Sequence, residues 1–402
     1  MKKLNKNYIL LLMASMFFMG MAGTDIYISA LPRMVSDFNT TPNVINLTIS
    51  IYTIGVAIFV VFADVLSNRF GRKPIIIISL CVYIVTSFLI SLSPSIWVIV
   101  ILRFIQSLVG FLFICTRQVL KDIMNQREQV RANGIILAGL IISPAIAPVI
   151  GAYLTHHFGW RSCFVFNGIL GMLILILTLK ILPETNYKKL KSLPKLNLYV
   201  MNYFHIFKDR FFLMITAIYA SASGAFWAFI GISSYLYIDH LGVHPITYSY
   251  IYILMSVAYL LGNQYMLALN RAKASYNKII SIGVTFTLVG ALVICTSDFF
   301  PITIVIIILV TLGSIFMRAA NALTNPTTQV ITINYFKRRG GLALGMAMSI
   351  NYVAMSLGVF LVTLFHKEPL VGLILISLFF SFIGLGAFYI AKRRIAEHSK
   401  NF

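Results

Sequence analysis

The sequence predicts an all-α membrane protein: twelve transmembrane helices in two pseudo-symmetric six-helix bundles, with both termini in the cytoplasm. Three observations predict it. The composition is too apolar for a water-soluble surface, the apolar residues fall in twelve long runs, and Lys and Arg collect on one side of those runs. Of 402 residues 59% are hydrophobic and only 11% charged, and the mean hydropathy is +0.90. A soluble domain of this length needs far more charge to cover itself, whereas a bilayer accepts apolar side chains directly.

The runs long enough to cross a hydrocarbon core of about 30 Å cover residues 8–31, 44–66, 74–93, 95–120, 131–154 and 162–182 in the first half. In the second half they cover 211–238, 246–269, 278–297, 301–326, 340–365 and 369–391. Turn signals part several of them, as at Ser93-Pro94, Asp298 to Pro301 and Lys367 to Pro369. The first run follows Lys2, Lys3 and Lys6 and resembles a signal peptide. It continues past Gly23 to Leu31, long enough to span, and is read as an uncleaved first helix.

With the N-terminus inside, the great majority of the 32 Lys and Arg fall in cytoplasmic segments, while the outer loops hold Arg33, Arg161 and Lys367. That asymmetry orients the chain. It also accounts for the net charge of +21 without nucleic acid, because the charges neither share a face nor form a domain. The longest polar stretch, 183–210, lies between the sixth and seventh runs. It divides the chain into an N-terminal bundle (1–182), a cytoplasmic linker (183–210) and a C-terminal bundle (211–402). A duplicated plan of this kind places a substrate site near the membrane midplane. The linker lysines Lys188, Lys189, Lys191 and Lys195 suit a tether lying on anionic lipid.

Charge within the runs is scarce. Of the 11 acidic residues Asp25 alone lies well inside a helix, and all seven histidines lie at ends or in loops. A buried titrating group that couples protons to transport is therefore expected at Asp25. Asp25 lies seven residues before Pro32, and Arg103 eight residues after Ser95, where the fourth helix enters from outside. Both are then about 10–12 Å below the outer surface at 1.5 Å per residue. The two are expected to pair across the N-terminal bundle, with protonation of Asp25 weakening the pair and tilting a conformational equilibrium. Arg117 either snorkels to the inner interface or joins Arg318 in lining the cavity. A cavity with one carboxylate against up to three guanidiniums favours a substrate bearing carboxylate over a permanent cation. Tyr27, Tyr219, Phe226, Trp227 and Tyr235 are candidate stacking surfaces, and Asn321, Asn325 and Asn351 candidate hydrogen-bonding groups. Pro144 and Pro148 each remove a helical hydrogen bond, so the fifth helix can bend, while Gly151 permits close approach of a neighbour.

Several motifs together resemble the major facilitator superfamily, specifically its twelve-helix drug:proton antiporter branch of Bcr/CflA type. Gly23-Thr24-Asp25-Ile26-Tyr27 through Ala30-Leu31-Pro32 resembles the first-helix signature. Asn68-Arg69-Phe70-Gly71-Arg72-Lys73 resembles the cytoplasmic loop motif G-x-x-x-D-R-x-G-R-K. Arg103-Phe104-Ile105-Gln106 resembles the fourth-helix R-x-x-Q-G. Ser143-Pro144 through Pro148 and Gly151 resembles the fifth-helix antiporter motif, and Trp160-Arg161 with Leu182-Pro183-Glu184-Thr185 also fit. The match is strongest over helices 1–6. In the second half it rests on topology and on Arg339-Gly340-Gly341 opening helix 11. The loop motif departs from the pattern at Asn68, where the family has Asp, and at Asp64, where it has Gly. Asp64 is one helical turn from Asn68 on the same face and is expected to replace the missing carboxylate, pairing with Arg72 or with an end of helix 11. Ser107 replaces the Gly of the fourth-helix motif.

The resemblance implies a proton-coupled multidrug efflux transporter of the inner membrane, working as a monomer on small molecules and needing no cofactor or metal. Asp25 and Arg103 would couple protons, and Asp64, Asn68, Arg69, Gly71, Arg72, Pro144, Pro148 and Gly151 would form the conformational gate. Tyr27, Gln106, Arg117, Tyr219, Phe226, Trp227, Arg318, Asn321 and Asn351 would line the substrate cavity. The same machinery also suits export of an anionic metabolite or siderophore, or proton-coupled uptake. An intramembrane enzyme is not expected: the chain has no acidic metal pair, no G-x-S-x-G and no H-E-x-x-H.

Overall fold

The computed structural model describes residues 6–187, 189–190, 196–336 and 339–399. Lys2, Lys3, Lys188, Lys191, Lys195, Lys337, Arg338 and Lys400, all counted as cytoplasmic from the sequence, lie outside them. Among the described residues all regular structure is helical. Eleven helical segments there are long and apolar enough to cross a membrane. A further 33-residue helix, Gln126–Phe158, stands in the fifth position. The helices fall where the sequence places them.

The chain forms two compact units, Met1–Asn39 with Ile51–Lys195, and Thr40–Ser50 with Leu196–Phe402. The helices up to Ile181 are α1 (Lys6–Asp25), α2 (Leu31–Asp37), α3 (Pro42–Phe70), α4 (Arg72–Leu92), α5 (Ile96–Gln106), α6 (Gly110–Ile123), α7 (Gln126–Phe158) and α8 (Arg161–Ile181). In the first unit α1 packs against α7 and α8, and α4 against α8. An Asn125–Glu128 capping box starts α7. The Glu128 carboxylate also pairs with Lys6 at 2.8 Å. The Lys6 hydrogen bond, helped by the Asn125 amide, holds that carboxyl below its usual range. A lowered folded-state value stabilises at neutral pH and is lost as pH falls through it.

Two of the spans read as single helices are broken. After Asp25 the chain turns through a 3₁₀ segment, Ile28–Ala30, before α2. Pro32 has no N–H and its ring crowds the carbonyl four residues back, so an α-helix cannot run through unchanged. The fourth span breaks at Ser107–Val109, directly after Gln106, where the Ser107 hydroxyl donates to the Phe104 carbonyl. Short 3₁₀ stretches within helices often mark hinges. Both breaks adjoin the residues singled out by charge.

The remaining helices, all in the second unit, are α9 (Leu196–Phe207), α10 (Arg210–Ser234), α11 (Pro245–Arg271), α12 (Tyr276–Thr296), α13 (Thr303–Phe336), α14 (Gly340–Thr363) and α15 (Pro369–Ser399), with a π-helical turn, Tyr235–His240, closing α10. Asp209 and Ser275 cap α10 and α12 through their side chains. Bare glycines bring backbones together, Gly290 against Gly313 and Gly358 against Gly224, as small residues do between membrane helices. Thr40–Ser50 group with this unit through Asn46 Nδ2, which donates to the Gly231 carbonyl at 2.5 Å, and Ser356 Oγ, which donates to the Ser50 carbonyl at 2.9 Å. The segment read as a linker is partly helical. Ile206 of α9 is buried with Phe212, Ala343 and Ala347, an apolar anchor that hydropathy averaged over a polar stretch conceals.

Candidate functional site

Ending α1 at Asp25 leaves its last carbonyls without helical partners. Arg103 meets them. Its Nη1 donates to the Gly23 carbonyl at 2.9 Å and to Gln106 Oε1 at 2.7 Å, and its Nη2 donates to Thr24 Oγ1 at 3.1 Å. Gln106 Nε2 in turn donates to Ser87 Oγ at 2.7 Å. The guanidinium lies 4.1 Å from the Tyr52 ring centroid and 5.0 Å from that of Tyr27, and it is wholly buried. Cation–π contacts of this kind stabilise a desolvated cation.

Asp25 is 7% exposed, and its Oδ2 accepts from Ser143 Oγ at 2.8 Å. Asp25 and Arg103 thus share one buried cluster at the end of α1. The helix break presents Arg103 with a carbonyl and a hydroxyl, and Ser143 of α7 reaches the carboxylate. Pro144 and Pro148 sit inside α7 next to Ser143. Farther along, a Cβ on Gly151 would overlap the Ile26 carbonyl.

Tyr27 and Gln106, read from the sequence as cavity residues, are fully buried. Tyr27 stacks on Phe164 of α8 at 5.1 Å, and Gln106 braces Arg103. Arg117 is half-buried, 5.7 Å from the Phe17 ring of α1.

The opposite end of α3 holds a second polar cluster. Arg72 Nε pairs with Asp122 at 3.3 Å and its Nη1 donates to Ser67 Oγ at 2.9 Å. Asp64, expected to pair with Arg72, instead accepts from Gln118 Nε2, whose Oε1 accepts from Ser67. Asp64 therefore reaches Arg72 only through Gln118 and Ser67, because the end of α6 brings Asp122 closer. Gly71 turns the chain with φ +112, a region that favours glycine. A Cβ there would strike Glu184.

Glu184 Oε1 accepts from the backbone amides of Arg72 (3.0 Å), Thr185 (2.9 Å) and Asn186 (2.8 Å), and Oε2 from that of Lys73 (3.3 Å). A carboxylate at a helix N-terminus suits the dipole. Arg69 and Asn68 join the same strap: Arg69 Nη1 donates to the Leu190 carbonyl at 2.9 Å, and the Asn68 carbonyl accepts from Leu190 N at 3.0 Å. Glu184→Ala is expected to lower the unfolding midpoint of the purified protein by the loss of a cap, about 1–2 kcal/mol. Glu184→Gln should retain part of that. An unchanged midpoint in the alanine variant would mean that water satisfies the four amides.

In the second unit Asn321 is 2% exposed. Its Nδ2 donates to the Ala222 and Met317 carbonyls at 3.0 Å each, and its Oδ1 accepts from Ser223 at 2.9 Å. It ties α13 to α10. Tyr219 accepts from Gln329 Nε2 at 3.5 Å, and Trp227 is half-buried. Arg318 lies 4.7 Å from the ring centroids of both Phe226 and Tyr259. Asn351 Nδ2 reaches Met355 Sδ at 3.2 Å, while its Oδ1 is buried without a hydrogen-bond partner.

One residue escaped the sequence reading. Asn167 of α8 is wholly buried, and neither of its amide atoms has a hydrogen-bond partner. It shares a helix face with Phe164 and Gly171, which contact Tyr27 and Tyr83. An orphaned buried amide costs about 1–3 kcal/mol. Asn167→Leu is therefore expected to raise the unfolding midpoint in detergent. A lower midpoint would show that a bridging water holds the amide.

Helical spans of this length, carrying buried charge at helix breaks, define a polytopic membrane transporter. The comparisons agree. Residues 13–359 match the Major Facilitator Superfamily. A protein of Rickettsia bellii described as an uncharacterized transporter is 25% identical over 378 residues, 90% of this chain and 91% of that one. The multidrug resistance protein MdtL of Escherichia coli O157:H7 is 32% identical over 165 residues, 41% of this chain and 42% of that one. The bicyclomycin resistance protein homolog of Haemophilus influenzae is 25% identical over 233 residues, 58% of each. These last two alignments span about half of either relative. Among solved structures, a bacterial homolog of the human lysosomal transporter Spinster superposes with a TM-score of 0.77 at 12% identity, covering 99% of each chain, a likeness of fold. The chain belongs to the major facilitator superfamily. The family's members are transporters, not enzymes.

Proposed function

We propose that the protein is a proton-coupled exporter of amphipathic organic compounds, resident in the cytoplasmic membrane with both termini inside and working as a monomer. The observation that carries this reading is Asp25, the one carboxylate well inside a sequence-predicted span, buried where α1 breaks and held by Ser143 of α7. Ionised, its Oδ2 accepts from Ser143, and Arg103 sits two residues back along the chain at Gly23. Protonation removes the charge beside that guanidinium and weakens the acceptor, so the two charge states favour different arrangements of α1 and α7. Substrate enters from the cytoplasmic side with Asp25 ionised. A proton from outside then resets the form that binds it again.

The test is direct. Purified protein titrated with candidate compounds in weak buffer should release protons on binding, and proteoliposomes with an imposed pH gradient should accumulate those compounds against it. Binding without proton release in any pH range overturns the coupling. A second reading, export of an anionic metabolite or siderophore by the same cycle, is favoured by the half-buried Arg117 and Arg318. Net accumulation in the direction of proton flow would favour uptake by symport instead.

A further inference from the structure

Only Lys208 and Asp209 separate α9 from α10, and α10 opens a segment long and apolar enough to span. The break lies at Asp209, whose backbone is extended and whose side chain caps α10. The last turn of α9 is therefore tethered at the level where a span begins.

One side of α9 faces the protein. Ile206 is 1% exposed and packs with Phe212 of α10 and with Ala343 and Ala347 of α14. Another side is apolar and open. Met201, Phe204 and Phe207 follow one another at intervals of three residues, as neighbours on a helix surface do, and they are 53%, 54% and 48% exposed. Lys208 lays its stem along this side, with Nζ 4.4 Å from the Phe204 ring centroid. A long basic side chain covers an apolar face in this manner and keeps its charge at the boundary.

The charge at this end of the second unit is lopsided. Asn277 Nδ2 donates to the Lys392 carbonyl at 2.9 Å, and Tyr335 donates to Asp209 Oδ2 at 2.9 Å, which draws together the ends of α10, α12, α13 and α15. Lys208, Arg210, Lys278, Lys392, Arg393 and Arg394 are exposed there, against the carboxylates of Asp209 and Glu397. Asp209 turns inward, since its other oxygen accepts from Phe212 N at 2.8 Å. An apolar stripe edged by cations at the end of a span has the makeup of a helix lying in an anionic leaflet, its apolar side in the acyl boundary and its cations on phosphate. A second copy of this chain would bring the same positive end against it, which like-charge repulsion opposes.

We propose that the open side of α9 is a binding site for anionic phospholipid, with Met201, Phe204 and Phe207 among the acyl chains and Lys208 and Arg210 on the headgroup phosphate. The site lies beyond the linker lysines in the chain and adds an apolar face to charge alone. It rests on the membrane placement read above, and not on the transport cycle.

The probes are phosphatidylglycerol and phosphatidylcholine with identical acyl chains. They are offered in equal amounts to the purified full-length protein, and bound lipid is counted by native mass spectrometry. A basic residue near an anionic surface contributes a factor of about five, so the pair should give the wild type at least about a tenfold preference for phosphatidylglycerol. Lys208→Gln with Arg210→Gln should bring the two lipids within about twofold. Arg271→Gln with Lys278→Gln removes two exposed cations from α11 and α12 and should keep the preference. These are comparisons between lipids on one variant, so a general loss of folding does not imitate them. Phe204→Trp reads the placement: in nanodiscs of lipid brominated on its acyl chains, the emission it adds to that of Trp97, Trp160 and Trp227 should be largely quenched. No preference in the wild type, or an equal loss in both double variants, overturns the site. Added emission that stays unquenched overturns the bilayer placement. Displacement of phosphatidylglycerol by millimolar inorganic phosphate would make this a soluble-anion site and overturn the lipid assignment. A dimer dissolved by Phe204→Gln with Phe207→Gln would make it a contact between copies and do the same. Proton-linked flux without a lipid preference would sink the site and leave the transport reading standing, and a lipid preference without proton-linked flux would do the reverse.

Discussion

Asp25→Asn is expected to uncouple transport from protons while leaving the fold intact, lowering gradient-driven flux by about tenfold or more, the factor that each 1.4 kcal/mol of lost bias gives. The amide has the shape of the carboxylate and keeps an oxygen to accept from Ser143 Oγ, so the described contact between α1 and α7 survives. It has no charge to lose. In the wild type, substrate that prefers the ionised form binds less tightly as pH falls through the titration of Asp25. In the variant, affinity should be flat over the same range, and compounds should still exchange down their own gradients. Exchange without concentrative transport separates coupling from binding, which a misfolded variant cannot imitate. Gradient-driven accumulation by Asp25→Asn at the wild-type level, with an unchanged pH profile, would remove Asp25 from the mechanism. Ser143→Ala provides a graded companion: it removes a donor to the carboxylate but not the titrating group, so it should displace the pH profile without abolishing it.

The sequence made the helices legible because each crossing spends about twenty apolar residues, a signal spread over the whole span. Its charges were legible for a related reason: Asp25, Arg103 and Arg318 are conspicuous wherever hydrocarbon is the alternative. What stayed hidden has shorter range or longer reach. The 3₁₀ breaks at Ile28–Ala30 and Ser107–Val109 occupy three residues each, below the resolution of any hydropathy average. The partner of Arg103 is in part a backbone carbonyl, at Gly23, and no side-chain inventory counts carbonyls freed by a helix end. Matching depths therefore brought Arg103 to the right turn of α1, where a freed carbonyl joins its partners. The Glu184 strap joins amides 112 residues away in the chain, and Asp122 displaced Asp64 as the partner of Arg72 because the approach of α6 is a tertiary fact. Asn167 was silent because one Asn in an apolar helix carries no periodic mark.

The second large effect is expected at Gly151. A Cβ built there overlaps the Ile26 carbonyl oxygen and crowds its carbon, so the obstacle is backbone with no side chain able to swing aside. Overpacking a well-filled interior costs about 1–3 kcal/mol, and more where neither side can relax. Relaxation is restricted here on both sides. Ile26 follows Asp25 at the helix break, and α7 lies along α1 over an extensive contact. Gly151→Ala should therefore lower the unfolding midpoint markedly, and Gly151→Val should prevent accumulation of folded protein. The alanine variant carries a further consequence. Parting α7 from Ile26 also draws Ser143 away from Asp25, eight residues along the same helix, so the protein that does fold should show the displaced pH profile of Ser143→Ala although Gly151 bears no polar group. A purely structural defect would lower the amount of active protein and leave that profile where it was. Gly151→Ala with wild-type stability and an unmoved profile would mean that α1 and α7 do not meet backbone to backbone at the break, and the route from the charge of Asp25 to the movement of α7 would have to be sought elsewhere.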